Sequence, residues 1–426
     1  MTIQTELPSN FQPAESALEG IQVFKPVRQE ADHTEIVTFD CPNCGADRAF
    51  SVAEGGLTCT FCGYHEEPES ERVGKAAEEF SFNAETIQQA SHGWGIARKE
   101  IQCENCGAQT TLPEDMLTHT CSFCGSEKVI QRKAAQDLLR PRVLIVPVVE
   151  TDQCRQVTRQ WLGSSWMTPN SLKAEAVLDR FDLIYLPFWT FDADTDTQWR
   201  AEVGERRTSG TGDNRRTYTV WEWRNGQLQR SFDDFIVSGT TKVSEVLLDR
   251  VSDFDTEGLV TYNPGYLAGV RAQAYDRDLE TSWQIGREKM REIVKEACRA
   301  QALRGKDKIR NFSMKMDWEN ERWRYCLMPV YISAYQFEDE TYQVVVNAQT
   351  ANVNGQRPVA WLKVIAAVVA VMVPSVMCML VGGLVTLLAG DDSPFQVVGY
   401  VAFMMLSGAF AWSANTIQKA LSFDDI

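Results

Sequence analysis

Uncharged, mostly apolar positions are concentrated near the C-terminal end of the 426-residue chain. Residues 364–389 are 26 consecutive positions without a charged side chain, and residues 395–414 are another 20. At about 1.5 Å of rise per residue, each run is long enough for a helix to cross the hydrocarbon core of a bilayer. The pattern predicts a transmembrane helical hairpin, with the acidic connection 390–394 between its helices and a tail at 415–426.

Basic residues lie at both ends of this predicted hairpin in the chain. Arg357 and Lys363 precede the first run, and Lys419 follows the second. Because basic flanks stay on the cytoplasmic side of a membrane, we expect both termini in the cytoplasm and the acidic connection outside. The predicted localisation is the cytoplasmic (inner) membrane of the cell, with the lipid bilayer as one partner. The alternative is a hairpin buried inside a soluble protein.

Strand and helix patterns over residues 140–357 predict an α+β domain. Residues 143–149 have the pattern of a buried strand, and Pro147 indicates an edge position. Two strand-like runs joined by Asn225-Gly226 predict a β-hairpin over 218–232. Helices are predicted over 151–162 and, as a long amphipathic segment, over 276–303. The apolar side of that long helix contains Leu279, Trp283, Met290, Ile293 and Val294.

Two segments of this domain resemble each other. Residues 185–193 read Tyr-Leu-Pro-Phe-Trp-Thr-Phe-Asp-Ala, and residues 326–334 read Cys-Leu-Met-Pro-Val-Tyr-Ile-Ser-Ala. Each predicts a strand entered through Leu-Pro or Met-Pro, followed by a turn and a returning strand. We interpret this similarity as an internal duplication.

Eight of the 12 cysteines form four Cys-x-x-Cys pairs, and each of the last four lies 62 residues after its counterpart among the first four. These residues are Cys41, Cys44, Cys59, Cys62, Cys103, Cys106, Cys121 and Cys124. The exact repeat of spacing indicates a second internal duplication. With no export signal at the N-terminus, a reducing compartment and metal binding are favoured over disulfides.

The spacing of each set predicts a zinc ribbon with a structural Zn²⁺ ion. Two thiolates separated by two residues can reach one tetrahedral ion, the following glycine tolerates a positive φ, and about 14 intervening residues suit a hairpin. Four thiolates leave no open coordination position, so neither site is expected to be catalytic. Disulfides or an iron–sulfur centre are the alternatives. His65 and His119 are expected to face solvent.

The charge of the chain argues against nucleic acid as a partner. The net charge is −16, and residues 37–132 contain 7 basic and 15 acidic side chains. Phosphate backbones are bound by clustered Lys and Arg, so we expect the ribbons to bind cytoplasmic proteins instead. Homo-oligomerisation is left open.

The sequence contains no recognised catalytic motif. There is no phosphate-binding Gly-x-x-x-x-Gly-Lys-Ser/Thr loop, no Gly-x-Ser-x-Gly, no His-Glu-x-x-His, and no histidine after His119. Two acidic groups, Asp192/Asp194/Asp196 and Asp233/Asp234, are interpreted as a solvated face. An aromatic group is interpreted as sheet core and consists of Phe188, Trp189, Trp199, Tyr218, Trp221 and Trp223.

Together these patterns predict a multidomain chain with two small β zinc ribbons, an α+β domain with internal duplication, and a C-terminal transmembrane helical hairpin. The predicted units are a flexible segment 1–36, ribbon 1 at 37–67, a linker 68–98, ribbon 2 at 99–132, the α+β domain 140–357, two spans at 364–389 and 395–414, and a cytoplasmic tail at 415–426.

The paired Cys-x-x-Cys-Gly segments resemble TFIIB-type zinc ribbons, and similar chains are often labelled primosomal replication factor Y or helicase-like. No ATPase motor accompanies them here, so no helicase activity is expected. The whole arrangement is similar to that of bacterial membrane-anchored double zinc-ribbon proteins. Residues 346–358 resemble the segment that ends the α+β region of those proteins, with Ala348 and Ala351 where they tend to have glycine.

This resemblance implies a role in recruiting soluble proteins to the membrane, in some members within membrane-stress systems. The functional prediction is therefore a membrane-anchored zinc-binding scaffold that is not an enzyme. One alternative is a replication- or transcription-linked protein that binds nucleic acid without helicase activity. Another is an enzyme of unrecognised class that uses the α+β domain.

Overall fold

The computed structural model describes residues 11–14, 23–26, 39–76, 79–81, 98–113, 121–124, 126, 129–133, 139–175, 181–210, 215–337, 340–389 and 396–424. Within these ranges the chain combines cysteine-rich N-terminal segments, one large β-sheet, six α-helices and an apolar C-terminal helix. His92, His119 and the predicted acidic connection 390–394 lie outside the described residues.

The strands, numbered in chain order, are β1 Phe11–Ala14, β2 Val23–Pro26, β3 Arg48–Ser51, β4 Gly56–Cys59, β5 His65–Glu66, β6 Phe80–Ser81, β7 Arg98–Cys103, β8 Gln109–Pro113, β9 Val129–Lys133, β10 Val143–Ile145, β11 Asp182–Ser209, β12 Arg216–Ser238, β13 Leu259–Thr261, β14 Arg271–Ala272, β15 Lys308–Phe337, β16 Glu340–Asn347 and β17 Val353–Gly355. The α-helices are α1 Thr151–Gly163, α2 Asn170–Glu175, α3 Glu245–Val251, α4 Leu279–Ala302, α5 Trp361–Ala389 and α6 Gln396–Asp424.

Three long antiparallel strands, β11, β12 and β15, form the centre of the large sheet. β11 pairs with β12 on one side and with β15 on the other. From Asp192 onward its side chains alternate between the core and the outer face. The inward row comprises Ala193, Thr195, Thr197, Trp199, Ala201 and Val203. This period of two is what a strand with one covered face requires.

Helix α4 covers that inward face and confirms the predicted long helix. It begins after Asp278, whose side chain accepts a hydrogen bond from the Thr281 N–H at 2.7 Å, as an N-cap residue does. Four of the five residues predicted on its apolar side are buried, but Ile293 is 37% exposed. Gly286 instead lies on the buried side, where a Cβ would be 3.2 Å from the Phe191 ring.

The hairpin predicted at Asn225-Gly226 is wrong. β12 runs without a turn from Arg216 to Ser238, and Gly226 pairs with Trp199 on β11. A Cβ at Gly226 would lie 2.5 Å from the Trp199 ring. The glycine is therefore needed for a close approach between strands and not for a turn.

The two segments that resemble each other lie side by side on β11 and β15. Phe188 is paired with Cys326, and Tyr185 with Pro329. The turn expected after the first segment is absent, because β11 continues to Ser209. The second segment does have a returning strand, β16, which pairs with β15.

Strand β10 was expected at a sheet edge but lies between β13 and β15. It ends at Ile145, before Pro147, so the proline interrupts no ladder hydrogen bond. The next element, α1, confirms the helix predicted over 151–162 and ends one residue later.

At the C-terminal end, α5 and α6 contact each other, and α6 continues to Asp424 through the predicted tail. Among the described helices, one segment, Trp361–Leu384, is long and apolar enough to cross a membrane. Of its most apolar stretch of 18 residues, 6% is buried inside the protein. The second span, 395–414, and the orientation of the termini remain predictions.

The start of α5 is held against the α+β domain. The Ala360 N–H donates to the Met167 carbonyl at 2.8 Å, and Lys363 Nζ donates to the Thr168 carbonyl at 2.9 Å. The Arg357 guanidinium lies 3.7 Å above the Trp161 ring. The apolar helix therefore begins directly at the domain surface.

Near this junction, Ala351 adopts a φ of +62°. This left-handed conformation is strained for a residue with a Cβ. It coincides with a position where the proteins that this segment resembles tend to have glycine.

Within the predicted flexible segment, β1 and β2 form a separate two-stranded sheet. The predicted linker is tied to the large sheet at two points. In the predicted linker, Arg72 forms a bridge with Val260 and Phe80 pairs with Trp323.

Candidate metal centres

The first four-cysteine group lies beside a small three-stranded sheet, β3–β4–β5. Cys41 Sγ lies 3.5 Å from Cys62 Sγ, and Cys44 Sγ lies 3.6 Å from Cys59 Sγ. All four sulfur atoms lie within 4.8 Å of one another. Residues that are up to 21 positions apart in the chain are thus brought to one point.

Backbone hydrogen bonds shape both Cys-x-x-Cys turns of this group. The Cys41 N–H donates to the Ala46 carbonyl at 2.7 Å, and the Gly45 N–H donates to the Cys41 carbonyl at 2.8 Å. The turn at Cys59 repeats both bonds, with Tyr64 and Gly63. Gly45 and Gly63 have φ of +76° and +73°, so each turn needs a residue without a Cβ.

The second group has the same geometry. Cys103 Sγ lies 3.6 Å from Cys124 Sγ, and Cys106 Sγ lies 3.7 Å from Cys121 Sγ. The Gly107 N–H donates to the Cys103 carbonyl at 3.0 Å, and Gly107 has a φ of +69°. All eight cysteines singled out in the sequence therefore lie in two groups of four.

The sulfur positions fit one tetrahedral ion in each group. Zn–S bonds of about 2.3 Å at the tetrahedral angle separate neighbouring sulfurs by about 3.8 Å. The observed pair distances of 3.5–3.7 Å are close to that value, whereas a disulfide needs about 2.05 Å. The donor sets are therefore compatible with zinc.

The thiols of the first group differ in acidity, because thiolates within 4.8 Å of one another repel. The Tyr64 N–H lowers the pKa of Cys62 to about 6. At Cys44 the Ala46 N–H acts in the same direction, yet burial and the neighbouring cysteines raise the pKa to about 12. A divalent cation removes this conflict by stabilising all four thiolates.

His65 is not brought into the first group. It is exposed, and its Nδ1 lies 3.2 Å from the Thr58 hydroxyl and 3.6 Å from Glu54. The expectation that His65 faces solvent is therefore confirmed.

The first group lies in ribbon 1, of which residues 39–67 are described. Ribbon 1 touches the α+β domain through Phe50 and the residues around it. The Phe50 N–H donates to the Ala268 carbonyl at 2.9 Å, and its ring centroid lies 5.3 Å from that of Tyr266. On the Cys59–Cys62 turn, the Phe61 side chain is 83% exposed. Ribbon 1 thus presents an apolar ring to solvent beside its metal ligands.

The second group lies in ribbon 2, whose described strands β7, β8 and β9 belong to the large sheet. Thr111 on β8 pairs with Ala272 on β14, and the Thr111 hydroxyl donates to the Ala272 carbonyl at 2.9 Å. Phe123, the counterpart of Phe61, is 1% exposed. It packs in a core cluster with residues of the domain, including Ile145 and Ile184.

Arg98, which the sequence analysis did not single out, joins ribbon 2 to the domain. Its guanidinium donates to the carbonyls of Thr111 at 2.8 Å, Val270 at 3.0 Å and Leu267 at 3.4 Å. Full burial lowers its pKa to about 10. An arginine at the start of a strand carries no sequence signal for this role, because its acceptors are backbone carbonyls distant in the chain.

One acidic group is more structured than the predicted solvated face. Glu79, Asp192 and Asp233 lie within reach of one ion, but basic side chains already pair with Glu79 and Asp233. Arg322 contacts Glu79 at 3.1 Å, and Lys75 contacts Asp233 at 2.8 Å. Fully buried Arg324 binds both Glu79 and Asp234. The arrangement is an ion-pair network that holds Glu79 of the linker on the sheet.

Asp192 is the member of this network with the most altered acidity. Burial, followed by the contact with Glu79, raises its pKa to about 7. Its Oδ1 accepts a hydrogen bond from the Asp234 N–H at 2.8 Å. Farther along β11, Asp194 and Asp196 are partly exposed and accept hydrogen bonds from Ser231 and Gln227.

The predicted aromatic core is divided between two environments. Phe188, Trp189 and Trp199 are buried as expected. Tyr218 and Trp223 are instead 50% and 52% exposed, on the part of β12 beyond the buried core.

A small polar cavity of about 250 Å³ lies where ribbon 2 meets the domain. Its lining includes Glu100, Gln109, Gln273 and Asp276. The Asp276 carboxylate accepts hydrogen bonds from Thr241, and the Gln273 amide donates to Thr240. These polar side chains thus support the local structure.

Comparison with known proteins gives one relative. The chain is 26% identical over 335 residues to the uncharacterized protein YdjG of Bacillus subtilis (strain 168), a match that covers 78% of this chain and 93% of that protein. No family model and no solved structure matches the chain. The similarity thus extends beyond the cysteines to most of the chain.

Proposed function

We propose that this protein is a membrane-anchored scaffold that holds two structural zinc ions and recruits cytoplasmic proteins to the membrane. The observation that carries the proposal is the closed donor set of each four-cysteine group, with its sulfur atoms within 4.8 Å of one another. Four thiolates fill the tetrahedral shell of Zn²⁺ and leave no position for a substrate or water. The metal then shapes a surface and performs no chemistry.

Ribbon 1 is the surface that we assign to partner binding. Phe61 is 83% exposed next to Cys62, on a turn fixed by metal ligands at both ends. Exposed aromatic rings on a rigid turn are effective contact residues, because little side-chain entropy is lost when they bind. Zinc would thus organise a docking surface that collapses when the metal is removed.

The apolar segment Trp361–Leu384 supports the anchoring part of the proposal. It is long enough to span a bilayer, and few of its residues are buried against the rest of the chain. In the proposed topology, α6 returns across the membrane and both termini are cytoplasmic, with Arg357 and Lys363 on the inner side. Charged side chains are absent from residues 364–389, so this helix offers no proton or ion relay.

The experiment uses the full tagged chain, cross-linked in its own cells and purified from membranes in mild detergent. We expect two zinc ions per chain and a defined set of cross-linked proteins. Phe61→Ala should remove partners while zinc content stays at two. Trp166→Ala, which changes an aromatic side chain that is 45% exposed elsewhere, should retain them. The same partners with Phe61→Ala, or a chain that stays in the soluble fraction, would contradict the proposal.

A further inference from the structure

The region where the α+β domain meets the apolar helix α5 contains no acidic side chain. We call residues 155–170 and 353–364 the junction. All of its charged side chains are basic, namely Arg155, Arg159, Arg357 and Lys363. The chain as a whole has 58 acidic residues and a net charge of −16. The junction is therefore a locally basic part of an acidic chain.

One loop of the junction, residues 164–169, is attached to the first turn of α5. The Met167 carbonyl accepts a hydrogen bond from the Ala360 N–H at 2.8 Å. The Met167 side chain packs with Val364 of α5 and Ala420 of α6 in one buried cluster. The loop therefore lies beside the start of the apolar helix and contacts both C-terminal helices.

This attachment places the loop at the level of a membrane surface. The apolar segment begins at Trp361, and Val364 lies three residues farther along the helix, or about 4.5 Å. The polar headgroup region on each side of a bilayer is roughly 6 Å thick. In the proposed topology the Met167 side chain thus reaches the headgroup region. Trp166 lies beside it, because neighbouring Cα atoms are about 3.8 Å apart.

Trp166 presents its ring to the surroundings at this level. Its side chain is 45% exposed, whereas Met167 and Thr168 of the same loop are buried. Trp361, on the first turn of α5, is 38% exposed. Tryptophan is enriched at membrane–water interfaces, where the ring leaves water and the indole N–H keeps a polar partner. Both rings are therefore suited to contact with lipid headgroups.

Arg159 adds a positive charge to the same surface. It is exposed, one turn before α1 ends at Gly163. Arg155 pairs with Asp152 at 2.6 Å, but Arg159 has no ion-pair partner among the residues that the structure describes. Its guanidinium is available to the phosphate of a lipid headgroup, an acceptor that arginine binds well.

The charge distribution favours a bilayer as the occupant of this surface. The cytoplasmic leaflet of a membrane carries a negative surface potential, which attracts Lys and Arg side chains that lie close to it. The same potential repels a chain with a net charge of −16. The junction, with no carboxylate of its own, can approach such a surface without this repulsion.

We propose that the junction rests on the headgroups of the bilayer that α5 crosses, with Trp166 among the headgroups and Arg159 paired with a lipid phosphate. This inference rests on the membrane anchor of the proposed function and adds a lipid-binding surface on the α+β domain. The domain is then held in a fixed orientation on the membrane.

The test uses the full chain reconstituted into liposomes of phosphatidylcholine and phosphatidylglycerol, an anionic lipid. A fluorescent amino acid replaces Trp166, and a spin label on the lipid headgroup quenches fluorophores that lie next to it. The control replaces Trp223, which is 52% exposed on β12. Trp223 pairs with Glu202, 20 residues along β11 from Asp182, or roughly 60 Å.

We expect quenching at position 166 to be at least about threefold stronger than at position 223. The Asp182 end of β11 is the end near the junction, because Phe181 packs in one core cluster with Leu162 of α1. Equal quenching at the two positions would overturn the proposal.

Arg159→Glu tests the charged contact. With the reporter at position 166, this variant should reduce quenching at least about twofold, because a carboxylate repels the anionic headgroups. Arg291→Glu is the matched control, since it makes the same charge change at an exposed position on α4. It should leave the quenching unchanged. Equal reduction by both variants, or no reduction by Arg159→Glu, would overturn the proposal.

Flotation of the same liposomes separates this inference from the proposed function. A chain that floats with the liposomes but is not quenched at position 166 would reject the junction as a lipid-binding surface and leave the anchor standing. A chain that does not float would contradict both.

Discussion

The two ribbons share a sequence pattern and an arrangement of four sulfur atoms but differ in what surrounds them. Ribbon 1 is a separate three-stranded sheet that contacts the domain through Phe50, whereas ribbon 2 belongs to the large sheet. Equivalent phenylalanines differ most: Phe61 is 83% exposed and Phe123 is 1% exposed. Two segments with the same cysteine spacing thus differ in their surroundings: one is part of the core, and the other has an exposed surface.

This difference indicates a division of roles. Ribbon 2 is attached by Arg98, by strand pairing at Thr111 and by the packing of Phe123. Its zinc should therefore stabilise the domain. Ribbon 1 has fewer attachments, so its zinc should mainly stabilise its own surface.

The largest expected effect comes from removing metal ligands in one ribbon at a time. Cys103→Ser/Cys106→Ser should reduce the zinc content from two to one per chain and lower the midpoint of thermal unfolding by roughly 10 °C, because ribbon 2 loses its packing on the sheet. Cys41→Ser/Cys44→Ser should lose the same amount of zinc with less than half that thermal effect. Metal analysis and thermal unfolding measure both. Equal thermal effects of the two double variants would contradict the conclusion that the zinc of ribbon 2 stabilises the domain more than that of ribbon 1.

The paired phenylalanines give the next largest effect. Phe123→Ala should lower the free energy of unfolding by about 3–5 kcal/mol, because it removes a buried ring from the core. Phe61→Ala should change it by no more than about 0.5 kcal/mol. Urea unfolding of the two variants measures the difference, and both should retain two zinc ions. A large loss of stability with Phe61→Ala would contradict the assignment of Phe61 as a surface residue of ribbon 1 that does not pack on the domain.

Zinc release should also distinguish the ribbons. Cys44 and Cys62 of ribbon 1 are both exposed, whereas Cys124 of ribbon 2 is half-buried. Ribbon 1 should open locally more often, so a chromogenic chelator should remove its zinc several-fold sooner. Each double cysteine variant above contains a single site and assigns the two phases. The reverse order of release would contradict the assignment of ribbon 2 as the structural copy.

The smallest effect concerns Asp192, which contacts Glu79 of the linker between the ribbons. Burial raises the pKa of Asp192 to about 7 in the folded chain, so its contribution to stability is fully present below the unfolded pKa, near 4, and is lost as the pH rises through 7. In Asp192→Asn the side chain at this position cannot ionise. The free energy of unfolding of this variant should therefore exceed that of the parent by a margin that grows from pH 4 to 7, to roughly 1–3 kcal/mol.

Asp196→Asn is the control for this titration. Gln227 donates hydrogen bonds to Asp196 and lowers its pKa, so its contribution is present above its unfolded pKa and is lost as the pH falls. Asp196→Asn should therefore lower the free energy of unfolding near neutral pH, whereas Asp192→Asn should raise it. Urea unfolding at several pH values measures both variants, and parallel curves for the two would disprove the buried titration.

Sequence spacing predicted the two four-cysteine groups well because the signal is local. Two residues between cysteines, followed by a glycine, form each of the described turns at Gly45, Gly63 and Gly107, where φ is positive. The long helix α4 was also predictable, since its period and the Asp278 cap are local signals.

Other features depended on contacts between distant residues. Asn225-Gly226 has the sequence of a turn, but Gly226 lies under Trp199 inside a continuous strand. Phe61 and Phe123 stand in equivalent local sequences, and only the surrounding sheet separates their environments. The carbonyl contacts of Arg98 and the ion pairs of Glu79 likewise carry no local pattern.

We propose that each ribbon holds a closed, four-thiolate zinc site. X-ray absorption spectroscopy at the zinc edge, on the full chain purified from membranes, tests it most directly together with metal analysis. We expect two zinc ions per chain, each with four sulfur neighbours at about 2.3 Å and no nitrogen or oxygen ligand. Fewer than two zinc ions, another metal, or a mixed shell with an oxygen ligand would contradict the claim.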